Sequence, residues 1–384
     1  MIKKDITFIY YDTAEYTAYQ PIVEEAKKRG YKVKLTKNPF EKCEIGFYCQ
    51  HNNFPQYSKF SVIMLHDIIQ NYGAKPDFWF YEPWDKYDIG ILPSKKWTND
   101  WKEVSNYRYT RPRKGIYEIG WPKADYVLKY KDEKNKKFFY ETNGMNMNRP
   151  TILYAPAWEN DGKQDDFVKA MQKLDVNILI KQANWNPEKF PQQVANIQEM
   201  RILHKNLENV TVLDPKVNIF EAISNADILV SEESSTMCEA VMLGVPAVSV
   251  SDWLIPDTTP SRTVICEYDF VTKTYKDQLT DCIKEMLENY DDIKKETQEW
   301  ADRNFSNIGS TSTKIMDVLD AILEGKEPYI KKLEPNMYLV EDMDRVKANK
   351  VLRTKREILF NYCERNFILR KVRDKYLENY DKFH

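Results

Sequence analysis

Ala226 to Val250 reads ADILVSEESSTMCEAVMLGVPAVSV, and the fold is decided by how this stretch is punctuated. It opens on a short apolar run, Ile228-Leu229-Val230, which suits a strand buried on both faces. The run stops at a polar cluster, Ser231-Glu232-Glu233-Ser234-Ser235-Thr236. Met237, Ala240, Val241 and Gly244 then recur at helical spacing, and Gly244-Val245-Pro246 supplies the Gly-then-Pro stop of a helix. Ala247 to Val250 is a second buried strand. Strand, turn, helix and strand in that order form one unit of a parallel sheet.

The turn carries the chemistry. Ser234, Ser235 and Thr236 fall where the first backbone N–H groups of the helix have no partner inside it. Those groups, the helix dipole and the hydroxyls together favour a phosphate. The same letters also spell an ordinary Ser-capped helix start, and both readings stay open at this level. Glu232 and Glu233 would repel an anion. At least one of them therefore needs another task, such as contacting sugar hydroxyls or a cation.

Working outward, 384 residues are long for one domain and comfortable for two. The net charge of −2 gives no overall attraction to nucleic acid. The six cysteines are scattered without a CxxC, the four histidines are dispersed, and neither set has metal-ligand spacing. Scattered thiols fit a reducing cytoplasm. Met1-Ile2-Lys3-Lys4-Asp5 runs straight into a strand, which predicts no secretory signal, and no apolar run approaches the roughly 18 residues of a membrane span.

Upstream, Ile6–Tyr11, Tyr31–Thr36, Ile45–Cys49, Ser61–Leu65, Ile89–Pro93 and Gly115–Ile119 read as buried strands, with a helix over 17–29. His66 ends one of these strands in VIMLHDIIQ, the place where such sheets put catalytic groups, although a capping or merely exposed histidine would sit there equally well. Residues 131–149 are highly polar and read as an interdomain linker. A second strand–helix series runs from Thr151-Ile-Leu-Tyr through Asn177–Lys181 and Val210–Leu213 to the opening stretch. The expected domains are 1–145, 150–330 and a basic tail, 331–384, with 14 Lys and Arg against 9 Asp and Glu. Apolar residues interleave with those cations. The tail then reads either as an amphipathic helix lying on an anionic membrane or as a helix packed back on the body.

Several segments, in this order, resemble the CDP-glycerol glycerophosphotransferase family of teichoic-acid and capsule assembly. They are His66 after a buried strand, ILPSKKW (91–97), IGWPKADYVL (119–128), ILYAPAW (152–158), ADILVSEESSTMCEA (226–240) and FSNIGSTS (305–312). The resemblance spans roughly 60–325 and implies a GT-B α/β fold: two facing Rossmann-like, doubly wound parallel-sheet domains, here with a C-terminal helical tail. It implies a transferase that moves a glycerophosphate from a CDP-activated donor to a hydroxyl of a surface polymer or glycan. It also implies that His66 is the base on the acceptor hydroxyl, and that Glu232, Ser234 and Ser235 fall on the acidic-x-Ser-Ser turn that holds donor phosphate. Glu239 falls on a family Asp.

The chain departs from the family pattern in two places. Asp67 follows His66 where the family has Gly; it either orients the imidazole or caps the next helix. Lys181-Gln182-Ala183-Asn184 replaces a Lys-x-His-Pro motif whose histidine helps to bind the donor pyrophosphate. Lys181 supplies a point charge there, with Gln182 beside it. Trp158 either stacks on a base or sugar or packs at the rim. The same chassis serves nucleotide-sugar transferases, UDP-sugar 2-epimerases and non-catalytic relatives, so the donor stays open between CDP-glycerol and a nucleotide sugar. The scheme needs no cofactor and no metal, and Asp342-Met343-Asp344 in the tail is given no metal role. The expected location is cytoplasmic, peripheral at the inner membrane face where the tail meets lipid.

Overall fold

The computed structural model describes residues 4–49, 53–65, 82–130, 132–157, 162–188, 190–232, 234–253 and 270–336, together with Ile68, Trp79 and residues 368, 369, 371, 372 and 375 of the tail. The chain divides into two units, Met1–Lys123 with Ser310–His384, and Ala124–Gly309.

In chain order the helices are α1 (Thr13–Lys28), α2 (Lys95–Val104), α3 (Val127–Tyr130), α4 (Glu133–Asn143), α5 (Lys163–Met171), α6 (Pro191–His204), α7 (Ile219–Ser224), α8 (Thr236–Met242), α9 (Leu279–Glu288), α10 (Tyr290–Asn304) and α11 (Thr311–Leu323). The first unit holds a six-stranded parallel sheet of β1 (Asp5–Ile9), β2 (Lys32–Thr36), β3 (Cys43–Cys49), β4 (Ser58–Met64), β5 (Ile89–Leu92) and β6 (Gly115–Glu118), in the order β2-β1-β3-β4-β5-β6. The helix α11 returns to this unit. Arg29, just past α1, pairs with Asp317 at 2.8 Å and Asp320 at 2.9 Å.

The second unit holds β7 (Thr151–Tyr154), β8 (Asn177–Ile180), β9 (Val210–Val212), β10 (Ile228–Ser231), β11 (Ala247–Val250) and β12 (Val271–Thr274), in the order β12-β11-β10-β7-β8-β9, all parallel. Every position of β7, β8, β10 and β11 is buried. Their sequences are therefore mostly apolar and do not alternate, with one buried polar residue in each: Thr151, Asn177, Ser231 and Ser249. One face packs with Phe167, Val168 and Met171 of α5 and Leu279 and Ile283 of α9 into a single core around Ile152, Ile178, Ile228 and Val248.

The strand–turn–helix–strand unit forms as the sequence indicates: β10 pairs in parallel with β11, and α8 joins them. Gly244 closes α8 at φ +72°, a conformation that carries little cost for glycine alone. Three local readings change. Within 131–149, read as an interdomain linker, Glu133–Asn143 is helical, with Asp132 accepting from Lys134 N–H and Gly144 left-handed at the far end. Both caps were present in the sequence, but the polar run masked them. Helix α1 starts at Thr13 rather than 17, since Asp12 Oδ1 accepts from Ala14 and Glu15 N–H. The edge strand β12 went unread because its Val-Thr-Lys-Thr is short and exposed at its two middle positions.

Most of the 331–384 tail lies outside the described residues. Its first part runs beside β6: Leu333 N–H donates to Ile116 O at 2.8 Å and Asn336 N–H to Ser105 Oγ at 3.1 Å. No helix among the described residues is long and apolar enough to cross a membrane.

Candidate functional site

The second sheet has a topological switch point. From β7 the chain moves out through β8 and β9 on one side, then returns to β10 on the other, so β7 and β10 are neighbours with diverging connections. Ligands of open parallel sheets bind beyond the strand C-termini at such a point. The segments there are Ala155–Ala157 after β7 and Ser231–Thr236 after β10.

Hydrogen bonds tie these two segments together. Ser231 Oγ donates to Ala155 O at 2.7 Å, and Ala155 N–H donates to Val230 O at 3.1 Å. Thr236 Oγ1 lies 3.3 Å from the same Ala155 carbonyl and 2.9 Å from Ser234 Oγ. Ser234 Oγ accepts from Thr236 N–H at 3.3 Å, so the hydroxyl that covers the start of α8 belongs to Ser234. Ser235 occupies the cap position itself, at φ −60° and ψ −14°, and its hydroxyl makes no capping bond. It is half-buried, between a buried Ser234 and the half-buried Thr236.

Glu232 has the separate task that the sequence demanded of one carboxylate. Its side chain is fully buried. Oε1 accepts from Ala157 N–H at 2.8 Å and lies 3.7 Å from the ammonium of Lys163. Ser249 Oγ of β11 donates to the Glu232 carbonyl at 2.6 Å. Of the two tasks left open for the carboxylates, sugar hydroxyls or a cation, Glu232 has a cation nearby, one of the chain's own lysines. Glu239 is buried in the first turn of α8.

Lys181 and Gln182 follow β8, the strand on the other side of β7. The Lys181 ammonium donates to Gln182 O at 2.7 Å and Pro215 O at 3.0 Å, which joins the loop after β8 to the loop after β9. Burial lowers its pKa to about 8, partly opposed by the nearby Asp214 carboxylate. Gln182 Nε2 donates to Gln164 Oε1, and Gln164 Nε2 lies 3.2 Å from Nδ1 of the buried His204. His204 Nε2 lies 3.2 Å from Asp165 Oδ1. A polar chain therefore runs from the end of β8 through α5 to the end of α6.

Sequence reasoning did not single out Lys163, Gln164 or His204. The available signal was two polar residues, Lys163-Gln164, opening a helix straight after a buried strand and its loop; both are almost wholly buried. His66, Asp67, Trp158 and Glu233 lie outside the described residues. The residue before His66, Leu65, is buried just beyond β4. Among the described residues no cluster of three or more His, Cys, Asp or Glu could hold a metal ion.

Residues 64–319 match the family described as CDP-glycerol:poly(glycerophosphate) glycerophosphotransferase, which covers more than half of the chain. The chain belongs to that family. As a family member it is a transferase with a CDP-glycerol donor and a polymer acceptor.

Among solved structures, the wall teichoic acid polymerase TagF is similar with a TM-score of 0.57 and 16% identity, over 84% of this chain and 89% of that one. UDP-GlcNAc 2-epimerase from Neisseria meningitidis, bound to UDP-GlcNAc, is similar with a TM-score of 0.56 and 14% identity, over 82% of this chain and 99% of that one. MnaA of S. aureus with UDP gives 0.58 and 13%, over 86% and 100%. At these identities the likeness is one of fold, the GT-B class with its two parallel sheets. No curated protein sequence matches the chain.

Proposed function

We propose that this glycerophosphotransferase holds its donor at the end of β10. The donor's diphosphate rests on Ser234, Ser235 and Thr236, with Glu239 in the same turn, Lys181 and Gln182 at the end of β8, Glu233 beside the turn, and Trp158 against the base or the sugar. The observation that supports this reading most is the uncapped hydroxyl of Ser235, half-buried at the switch point where a parallel sheet receives ligands. Glu232 works indirectly, by fixing the loop after β7.

The chemistry follows from the donor. The acceptor hydroxyl oxygen bonds to the phosphorus of the glycerophosphate, and the bond from that phosphorus to the bridging oxygen of CMP breaks. The electron pair leaves on CMP, whose phosphate gains negative charge. Donors held rigidly at the start of α8 stabilise that charge without reorganising. His66, oriented by Asp67, takes the acceptor proton, a role suited to an imidazole near neutral pH.

CMP release from CDP-glycerol, measured with a poly(glycerophosphate) primer, tests the reading. The chain should release CMP and lengthen the primer, and His66→Ala should lose at least about a hundredfold in kcat, the usual contribution of a general base. Turnover unchanged in that variant would remove His66 from the reaction. Release of UDP or another nucleotide from a sugar donor, with none from CDP-glycerol, would overturn the donor.

The basic tail fits a peripheral site of action at an anionic membrane, where a lipid-borne polymer would grow. Residues 331–336 run along β6, beside Arg111, Arg113 and Lys114.

A further inference from the structure

Lys163 opens α5, and only 3% of it is exposed. Its ammonium has three N–H donors and no hydrogen-bond partner among the described residues. The nearest charge among the described residues, Glu232 Oε1, is 3.7 Å away, too far for a hydrogen bond, and that oxygen already accepts from Ala157 N–H. The other carboxylates of the same helical turn are engaged elsewhere. Asp165 is bound by Lys169 and lies 3.2 Å from His204 Nε2, and Asp166 pairs with Lys276 at 3.5 Å. A buried ammonium that makes none of its hydrogen bonds is expensive to keep, more so than the same cation paired and bonded.

Its position suggests what would complete it. Glu232 directly follows β10 and Ala157 follows β7, so the Lys163 ammonium, 3.7 Å from Glu232 Oε1, lies beside the two strand ends that define the switch point. We propose that Lys163 binds the diphosphate of the donor, making to its oxygens the hydrogen bonds it lacks in the free protein. This rests on the donor site proposed above and adds to it a cation that no motif marks. Lys163 also cancels the charge of Glu232, which would otherwise repel an anion at this turn. As the phosphate bond breaks, the same fixed ammonium would neutralise the charge that develops on CMP.

Calorimetric titration of the full chain with CDP-glycerol and with CDP separates the outcomes. Lys163→Met should weaken both ligands by about tenfold or more, the usual scale for a charge-assisted hydrogen bond. Because that variant leaves Glu232 uncompensated, Lys163→Met is also combined with Glu232→Gln, which removes both charges and leaves no orphan ion. A loss of about tenfold or more that persists in the double variant supports a direct contact. Affinity restored to the unaltered level in the double variant overturns the proposal, since Lys163 would then serve Glu232 alone, and unchanged affinity in the single variant overturns it too. If the unaltered chain binds neither CDP-glycerol nor CDP, the donor reading itself fails, a result distinct from a variant that binds as the parent does.

Discussion

Burial of Lys181 sets how it titrates. In the folded chain its pKa falls to about 8, while in the unfolded chain it keeps the ordinary value of about 10.4. Between these two values the unfolded state holds more protons, so this group's contribution to stability rises with pH across that window. Below it both states are charged, and the folded one bears the desolvation. The melting temperature of the parent relative to Lys181→Met should therefore rise between pH 7.5 and 10. A difference that stays constant would show that the amine is solvated. Residue roles at this site were only partly legible. The letters Ser-Ser-Thr located the helix start, but which hydroxyl covers it depends on the turn geometry that places Ser234 Oγ 3.3 Å from Thr236 N–H. The partner of Glu232 lies 69 positions upstream, at Lys163, and sequence spacing carries no trace of such a contact.

At the scale of the element, β10 and α11 make opposite demands. Strand β10 is central, and its Ile228 is fully buried in the core with Ile152 and Val248. Ile228→Ala should cost about 2–5 kcal/mol in urea unfolding, and a loss under about 1 kcal/mol would indicate a strand that is not central. Helix α11 is held by polar contacts as well. Arg29 reaches Asp317, Asp320 and the Thr313 carbonyl, and Tyr31 donates to Asp320. Arg29→Ala should cost about 1–3 kcal/mol, and Arg29→Lys should recover only part of it, because an ammonium cannot fork between two carboxylates. Full recovery with Lys would mean that charge alone matters. Mostly apolar runs made the central strands readable, since burial on both faces admits a polar residue only where a hydrogen bond satisfies it, as at Ser231 and Ser249. Helix α4 was hidden for the opposite reason: only Phe139 and Tyr140 of it are buried, so its solvated surface resembles a linker.

For the whole molecule, two parallel sheets of six strands make one fold class, and a family match over 64–319 makes one reaction. The basic tail is the part with its own predicted partner. The 384-residue chain should sediment with vesicles rich in anionic lipid and be released by salt, whereas a chain ending at 336 should remain in solution and still bind CDP-glycerol. Equal sedimentation of both would assign lipid contact elsewhere. The proposed donor site centres on the Ser235 hydroxyl at the start of α8. Ser235 makes no capping bond, so Ser235→Ala should leave the melting temperature nearly unchanged. Titration of that variant with CDP-glycerol is the most direct measurement: affinity about tenfold weaker is predicted, and affinity equal to the parent's would contradict the donor site.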